Sequence, residues 1–187
     1  LGLGTQLEER CAARDRDQVL EIAKQLESLG QKANLTAHFG CIQHWHLIAP
    51  FGNTDKRGFD TIYPPEKKIE LDAEYEGKES KVQWKDCQAE DRFGVVDLNK
   101  VIGKQMGVAA YAFAEIDSPE EQPAQIRTGS PNAIRVWLNG KLVLNREEYH
   151  HGVSMDQYQA TVKLKPGRNA ILIKVCQNEQ TEEWAQN

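Results

Sequence analysis

The chain has 187 residues, 40% of them hydrophobic and 27% charged, with a formal net charge of -5. That composition belongs to a globular protein with an ordinary core, and it excludes a disordered chain. The acidic balance argues against a general nucleic-acid binder, which needs clustered Lys and Arg, and no apolar run approaches the roughly 20 residues needed for membrane insertion.

Residues 1–38 read as a helical segment. Leu7, Cys11, Val19, Ile22, Ala23, Leu26 and Leu29 fall near helical spacing with charges between them. Asp17 is placed to cap the start and Gly30 the end. Gln6–Leu29 is either one bent helix or a helical pair. It has too little apolar surface to be a domain, so it is an appendage or the end of a preceding domain. The chain starts at Leu1 without a signal-peptide pattern and is expected to be part of a longer protein.

Residues 39–187 change period. Strands are predicted at Cys41–Ala49, Lys81–Cys87, Gly94–Leu98, Val108–Ile116, Ala124–Thr128, Ala133–Leu138, Lys141–Asn145, Tyr158–Leu164 and Asn169–Cys176. Pro50–Pro65 is polar, rich in Gly and Pro, and shows no element. Short strands at this spacing predict a mainly β, antiparallel sandwich or barrel. Asn139-Gly140 is a two-residue hairpin signal, because a type I′ turn needs positive φ at both positions. Pro166-Gly167 fits a type II turn. The ideal hairpin register opposes Leu138 to Lys141, Trp137 to Leu142 and Val136 to Val143. Both hairpin faces are then apolar, so the hairpin is either covered twice or offers an open platform at Trp137.

The string Asn132-Ala133-Ile134-Arg135-Val136-Trp137-Leu138-Asn139-Gly140-Lys141-Leu142-Val143 resembles the "vWlNGk.V" hairpin of galactose-binding-like domains. It is similar to the sugar-binding domain of family 2 glycoside hydrolases and to related bacterial accessory domains. Leu164–Val175 resembles the "LkpGwN.llvKv" strand that follows there, with Arg168 where an aromatic is common, and Trp45–Phe51 resembles the opening strand. The resemblance implies a non-catalytic jelly-roll β-sandwich, often carbohydrate-binding, attached to a larger extracellular or periplasmic protein. The hydrolases keep their catalytic carboxylates on a separate barrel, so no catalytic residue carries over.

Sugar recognition needs an aromatic face for the ring and polar groups for its hydroxyls. Trp84 and Trp137 are the candidate platforms, ahead of Trp45 and Trp184; each Trp could equally pack into the core. Between two strands, Arg146, Glu148, Tyr149 and His151 are the candidate polar contacts, in a loop that also holds Glu147, His150 and Asp156. That loop could equally be a solvated charged surface. His44 and His46 share a face and could hold a metal with a third ligand such as His38, but no metal site is assigned. The acidic stretches Asp72–Glu76 and Asp86–Asp91 could hold a structural Ca²⁺; no other cofactor is expected. The four cysteines, Cys11, Cys41, Cys87 and Cys176, form no CxxC pair and are expected to be mostly buried thiols. No nucleophile elbow occurs. The leading expectation is a carbohydrate-binding or adhesion-type accessory domain of a larger bacterial protein with a glycan partner. The alternative is a structural module docking a partner protein domain, and a metal-dependent enzyme is a more distant third.

Overall fold

The computed structural model describes residues 16–179. The expected positions Leu7, Cys11 and Trp184 lie outside them. The chain divides into two compact units: residues up to Gln43 with Ala89–Val95, and His44–Gln88 with the residues from Val96 onward.

The first unit holds helix α1 (Arg16–Ser28) and helix α2 (Leu35–Phe39). Helix α1 buries Val19, Ile22, Ala23 and Leu26, the i, i+3, i+4, i+7 stripe that its sequence carries. It ends at Gly30, whose φ of +77° frees Gln31 N–H to reach back to Leu26 O at 3.0 Å. Asn34 caps α2 by accepting from Ala37 N at 3.1 Å. Phe39 meets Phe93 at 5.9 Å between ring centroids, and Arg16 lies over the same Phe93 ring.

The second unit is mainly β. Its strands are β1 (His44–Gly52), β2 (Glu74–Glu76), β3 (Lys81–Gln83), β4 (Lys85–Gln88), β5 (Val108–Ser118), β6 (Gln122–Thr128), β7 (Ala133–Leu138), β8 (Lys141–Arg146), β9 (Tyr158–Leu164) and β10 (Gly167–Gln177). A six-stranded antiparallel sheet has the order β4-β1-β5-β10-β7-β8. Two two-stranded sheets, β2-β3 and β6-β9, accompany it, and β9 lies beside β8. Helices α3 (Pro64–Lys67) and α4 (Leu98–Val101) are single turns.

The central strands β5 and β10 are buried on both faces, which is why their sequences are nearly continuous apolar runs. One sheet face carries Ala109, Tyr111 and Phe113 from β5, Leu172 and Cys176 from β10, and Ala133 from β7. Residues 53–84 cover it with Phe59, Tyr63, Ile69, Tyr75, Val82 and Trp84. The other face carries Ile134, Val136, Leu138, Leu144, Ile171 and Val175, all buried.

The Asn139-Gly140 turn has φ of +51° and +79°, as a type I′ turn requires. Buried Asn169 closes the neighbouring turn. Its Oδ1 accepts from Lys165 N at 3.0 Å, and its Nδ2 donates to Lys165 O and Gly167 O, each at 2.9 Å.

Three expectations need correction. Lys81–Cys87 is two strands that break at Trp84, because the first half pairs with β2 and the second with β1. Gly94–Leu98 is not a strand; Asp97 instead caps α4 by accepting from Asn99 N at 3.0 Å. In the hairpin, a bulge between Val136 and Trp137 opposes Leu144, not Val143, to Val136. Leu144 is therefore buried, while Leu142, opposite Trp137, is 42% exposed. On the face of Arg135 and Trp137, Arg135 stacks over Phe59 at 4.1 Å and Trp137 is half-buried against the core.

Candidate functional site

Antiparallel pairing brings the C-terminal ends of β1, β6, β8 and β10 and the N-terminal ends of β5, β7 and β9 to one end of the second unit. The loops leaving those ends are stitched by polar contacts. Asn53 N donates to Gly107 O at 2.8 Å, Gly107 N to Asn178 O at 2.8 Å, and Asn53 Nδ2 to Gln177 O at 2.8 Å. Ser130 N donates to Gln157 Oε1 at 3.1 Å. Asn53, Ser130, Asn132, Gln177 and Asn178 are all buried here, a concentration that a plain packing end has no need of. Asp55, Lys56, His150 and Asp156 hold positive φ at the same end, a conformation that non-glycine residues adopt at a cost.

The loop 147–157 supplies the exposed chemistry. The buried Tyr158 hydroxyl donates to Glu148 Oε2 at 3.0 Å and lies 3.2 Å from His151 Nε2. One hydroxyl proton cannot serve both partners, so Nε2–H donates to the tyrosine oxygen. In that tautomer Nδ1 accepts from Gln157 Nε2 at 3.0 Å, and the same amide also reaches Gly152 O. Burial pushes the Tyr158 hydroxyl up to about 12, and the bond it donates to Glu148 adds to the shift. Arg127 and Asp156, paired at 2.9 Å, brace the foot of the loop.

The six expected site residues fall into two groups. Arg146, Glu148 and His151 gather around Tyr158, with the Arg146 guanidinium 6.0 Å from its ring. Trp84 and Trp137 lie half-buried on the face of the large sheet that carries Phe113 and Leu172. Trp84 meets Phe113 edge-on at 6.2 Å, and its buried Nε1 has no hydrogen-bond partner among the described residues. Tyr149 is also half-buried against that core, with Lys56 4.9 Å above its ring. Burial pushes the Tyr149 hydroxyl up to about 12. It lies beside the Asn53 carboxamide without good hydrogen-bond geometry.

Lys56, Asn53, Gln157 and Tyr158 were not singled out from the sequence. Tyr158 opens a predicted strand and reads as core. Lys56 arrives from a segment with no periodicity at all.

His46 Nδ1–H donates to Asp86 Oδ1, 2.7 Å away, and the ring stacks on Phe113. Asp91 accepts from Phe93 N at 2.9 Å and Val95 N at 3.1 Å, and Glu74 pairs with Lys81 at 2.6 Å. Among the described residues, no group of three His, Cys, Asp or Glu side chains is arranged to hold a metal ion. No helix among them is long and apolar enough to cross a membrane.

No protein-family model matches the chain, and no curated protein matches it. Among solved structures, the chain is similar to a β-glucuronidase of Faecalibacterium prausnitzii, with a TM-score of 0.43 and 15% identity over 73% of this chain. The match spans 20% of that enzyme's length.

Proposed function

We propose that this chain is a non-catalytic, carbohydrate-binding accessory module with a galactose-binding-like jelly-roll topology, and that its loop end receives the glycan. One observation carries the reading. Glu148, His151 and Arg146 present acceptors and donors together beside the Tyr158 ring at the loop end of a rigid β framework. Paired donors and acceptors suit vicinal hydroxyls, and an aromatic flank suits the apolar face of a sugar ring. The groups also hold one another in place before a ligand arrives, which lowers the ordering cost of binding.

Glycan arrays and affinity electrophoresis on immobilised polysaccharides test this. Retention of the wild type that His151→Ala and Arg146→Ala abolish, and that Leu142→Ala leaves intact, supports it. No retention on any plant, algal or host polysaccharide refutes it.

A second reading, a module that docks a partner protein domain, has one observation in its favour. Strand β8 is an edge of the large sheet and displays Leu142 at 42% exposure. Concentration-dependent sedimentation that Leu142→Lys abolishes would support that reading.

A further inference from the structure

Beyond Asn53, which is fixed to Gly107 O and Gln177 O, residues 54–69 cross one face of the large sheet without joining it. They comprise a 3-10 segment (Thr54–Phe59), a turn, and the single-turn α3. Their backbone hydrogen bonds are mostly local: Lys56 N to Asn53 O, Thr61 N to Arg57 O, Glu66 N to Tyr63 O and Lys68 N to Pro64 O, with Asp55 N donating to Glu179 Oε1 at 2.6 Å. What ties them to the sheet is the apolar packing of Phe59, Tyr63 and Ile69, the Tyr63 hydroxyl on Gly52 O, and a small set of buried polar side chains. Lys174 on β10 is fully buried, and its ammonium donates to Phe59 O at 3.1 Å, Thr61 O at 2.8 Å and Glu66 Oε1 at 2.9 Å. All three protons therefore go to the crossing segment. Tyr111 on β5 donates to the same Glu66 oxygen. Arg135 on β7 stacks over Phe59 and pairs with Asp60.

This attachment differs in kind from the rest of the core. A buried ion pair roughly breaks even against an apolar pair of the same shape while both partners stay seated. If the segment lifts, Lys174 and Glu66 both regain hydration, so neither charge is stranded. Lifting also releases the left-handed backbone at Asp55 and Lys56, with φ of +52° and +62°. By contrast, the neighbouring strands are joined along their length, β10 to β5 over eleven residue pairs from Gly167–Ser118 to Gln177–Val108.

We infer that residues 54–69 form a lid that opens and shuts as one body over the intact sheet, latched by the Lys174–Glu66 pair. Shut, it covers Phe51 and Tyr111 and holds Lys56 above Tyr149 at the loop end. Open, it uncovers that aromatic floor and withdraws Lys56. Its bearing on ligand uptake rests on the glycan reading; the lid itself does not.

Native-state hydrogen exchange on the full chain, resolved by amide, tests the inference. In the wild type, the amides of Lys56, Thr61, Glu66 and Lys68 are expected to exchange as a group, roughly a hundredfold or more faster than the paired amides of β5 and β10. Lys174→Met destabilises the shut state against both the open and the unfolded states, so it is expected to speed the lid group by a further hundredfold or so and the sheet amides with it. Val136→Ala, on the sheet face away from the lid, is expected to speed β5 and β10 and leave the lid group unchanged. Glu66→Gln keeps the shape and removes the charge, and it is expected to speed the same group by about tenfold. If Lys174→Met does not fold, Glu66→Gln and Val136→Ala decide. Lid amides exchanging in step with β10 in the wild type overturn the inference. So do lid amides with unrelated individual rates, or a Val136→Ala effect shared equally by lid and sheet. Absence of glycan binding leaves these rates untouched, so the two readings fail separately.

Discussion

Tyr158→Phe removes one oxygen from the loop end and nothing from its shape. The hydroxyl donates to Glu148 at 3.0 Å and accepts from His151 at 3.2 Å, so the change deletes two contacts and adds none. A hydrogen bond to a charged partner contributes roughly 1.5–3 kcal/mol when buried. Here Glu148 is 57% exposed and water can replace the lost donor, which places that contact at the low end. The His151 side chain is 26% exposed, so its orphaned Nε2–H is only partly rehydrated, at a cost of about 0.5–1 kcal/mol. The expected loss is about 2 kcal/mol, or a fall of about 4–8 °C in Tm for a chain of this size. Urea unfolding followed by tryptophan fluorescence measures it, with an unchanged m-value showing that the native state is intact. A double-mutant cycle of Tyr158→Phe with His151→Ala is expected to show coupling of about 0.5–1.5 kcal/mol. A Tyr158→Phe midpoint equal to that of the wild type, or strict additivity in the cycle, refutes the hydrogen-bonded cluster.

Three further expectations concern the same unit. At Gly129 a Cβ would sit 2.3 Å from the Ser154 carbonyl oxygen, so Gly129→Ala should displace the 147–157 loop. Chemical shifts around His151 and Gln157 would move while those of β5 and β10 stay put; unmoved loop shifts contradict the contact. Burial holds the Tyr149 and Tyr158 hydroxyls up at about 12, whereas an unfolded tyrosine ionises near pH ~10. The folded state therefore binds protons that the unfolded state has released, and stability that is complete below pH ~10 drains away as pH rises towards 12. Phenolate absorbance is expected to rise in step with loss of circular dichroism, and full ionisation before any unfolding would count against it. Burial likewise pushes the Cys176 thiol up to about 12. A thiol reagent at pH ~8 should label the half-buried Cys41 and Cys87 in the native protein and Cys176 only in denaturant, as mapped by peptide mass spectrometry.

Much of the fold was written in local chemistry. Strands β7 and β9 keep their predicted bounds because an Asn-Gly turn and a polar loop delimit them, and both features act within a few residues. What failed depends on partners. Alternation in Lys81–Cys87 reports a pleat but not which strand lies alongside, so the change of partner at Trp84 left no trace. Pro50–Pro65 showed no periodicity because its order comes from Lys174, over a hundred positions downstream. One sign of that was visible: a lone lysine inside the apolar run Ile171–Cys176. The polar loop of the candidate site stood out by composition. Its companions Lys56 and Asn53 did not, since only the sheet order brings β1 and β10 to the same end.

The bulge in the β7–β8 hairpin sets more than local pairing. With the extra residue, Leu144 points into the core, Asn145 meets Arg135, and Arg146 leaves the strand towards Tyr158. An unbulged ladder through the intact sequence would oppose Val143 to Val136 and turn every later side chain of β8 to the opposite face. Asn145 would enter the core, and Arg146 would point away from the loop cluster. Deleting Val143 does the reverse: Leu144 stays opposite Val136 and Asn145 opposite Arg135, so the strand that launches the site keeps its inside and outside while losing only its kink.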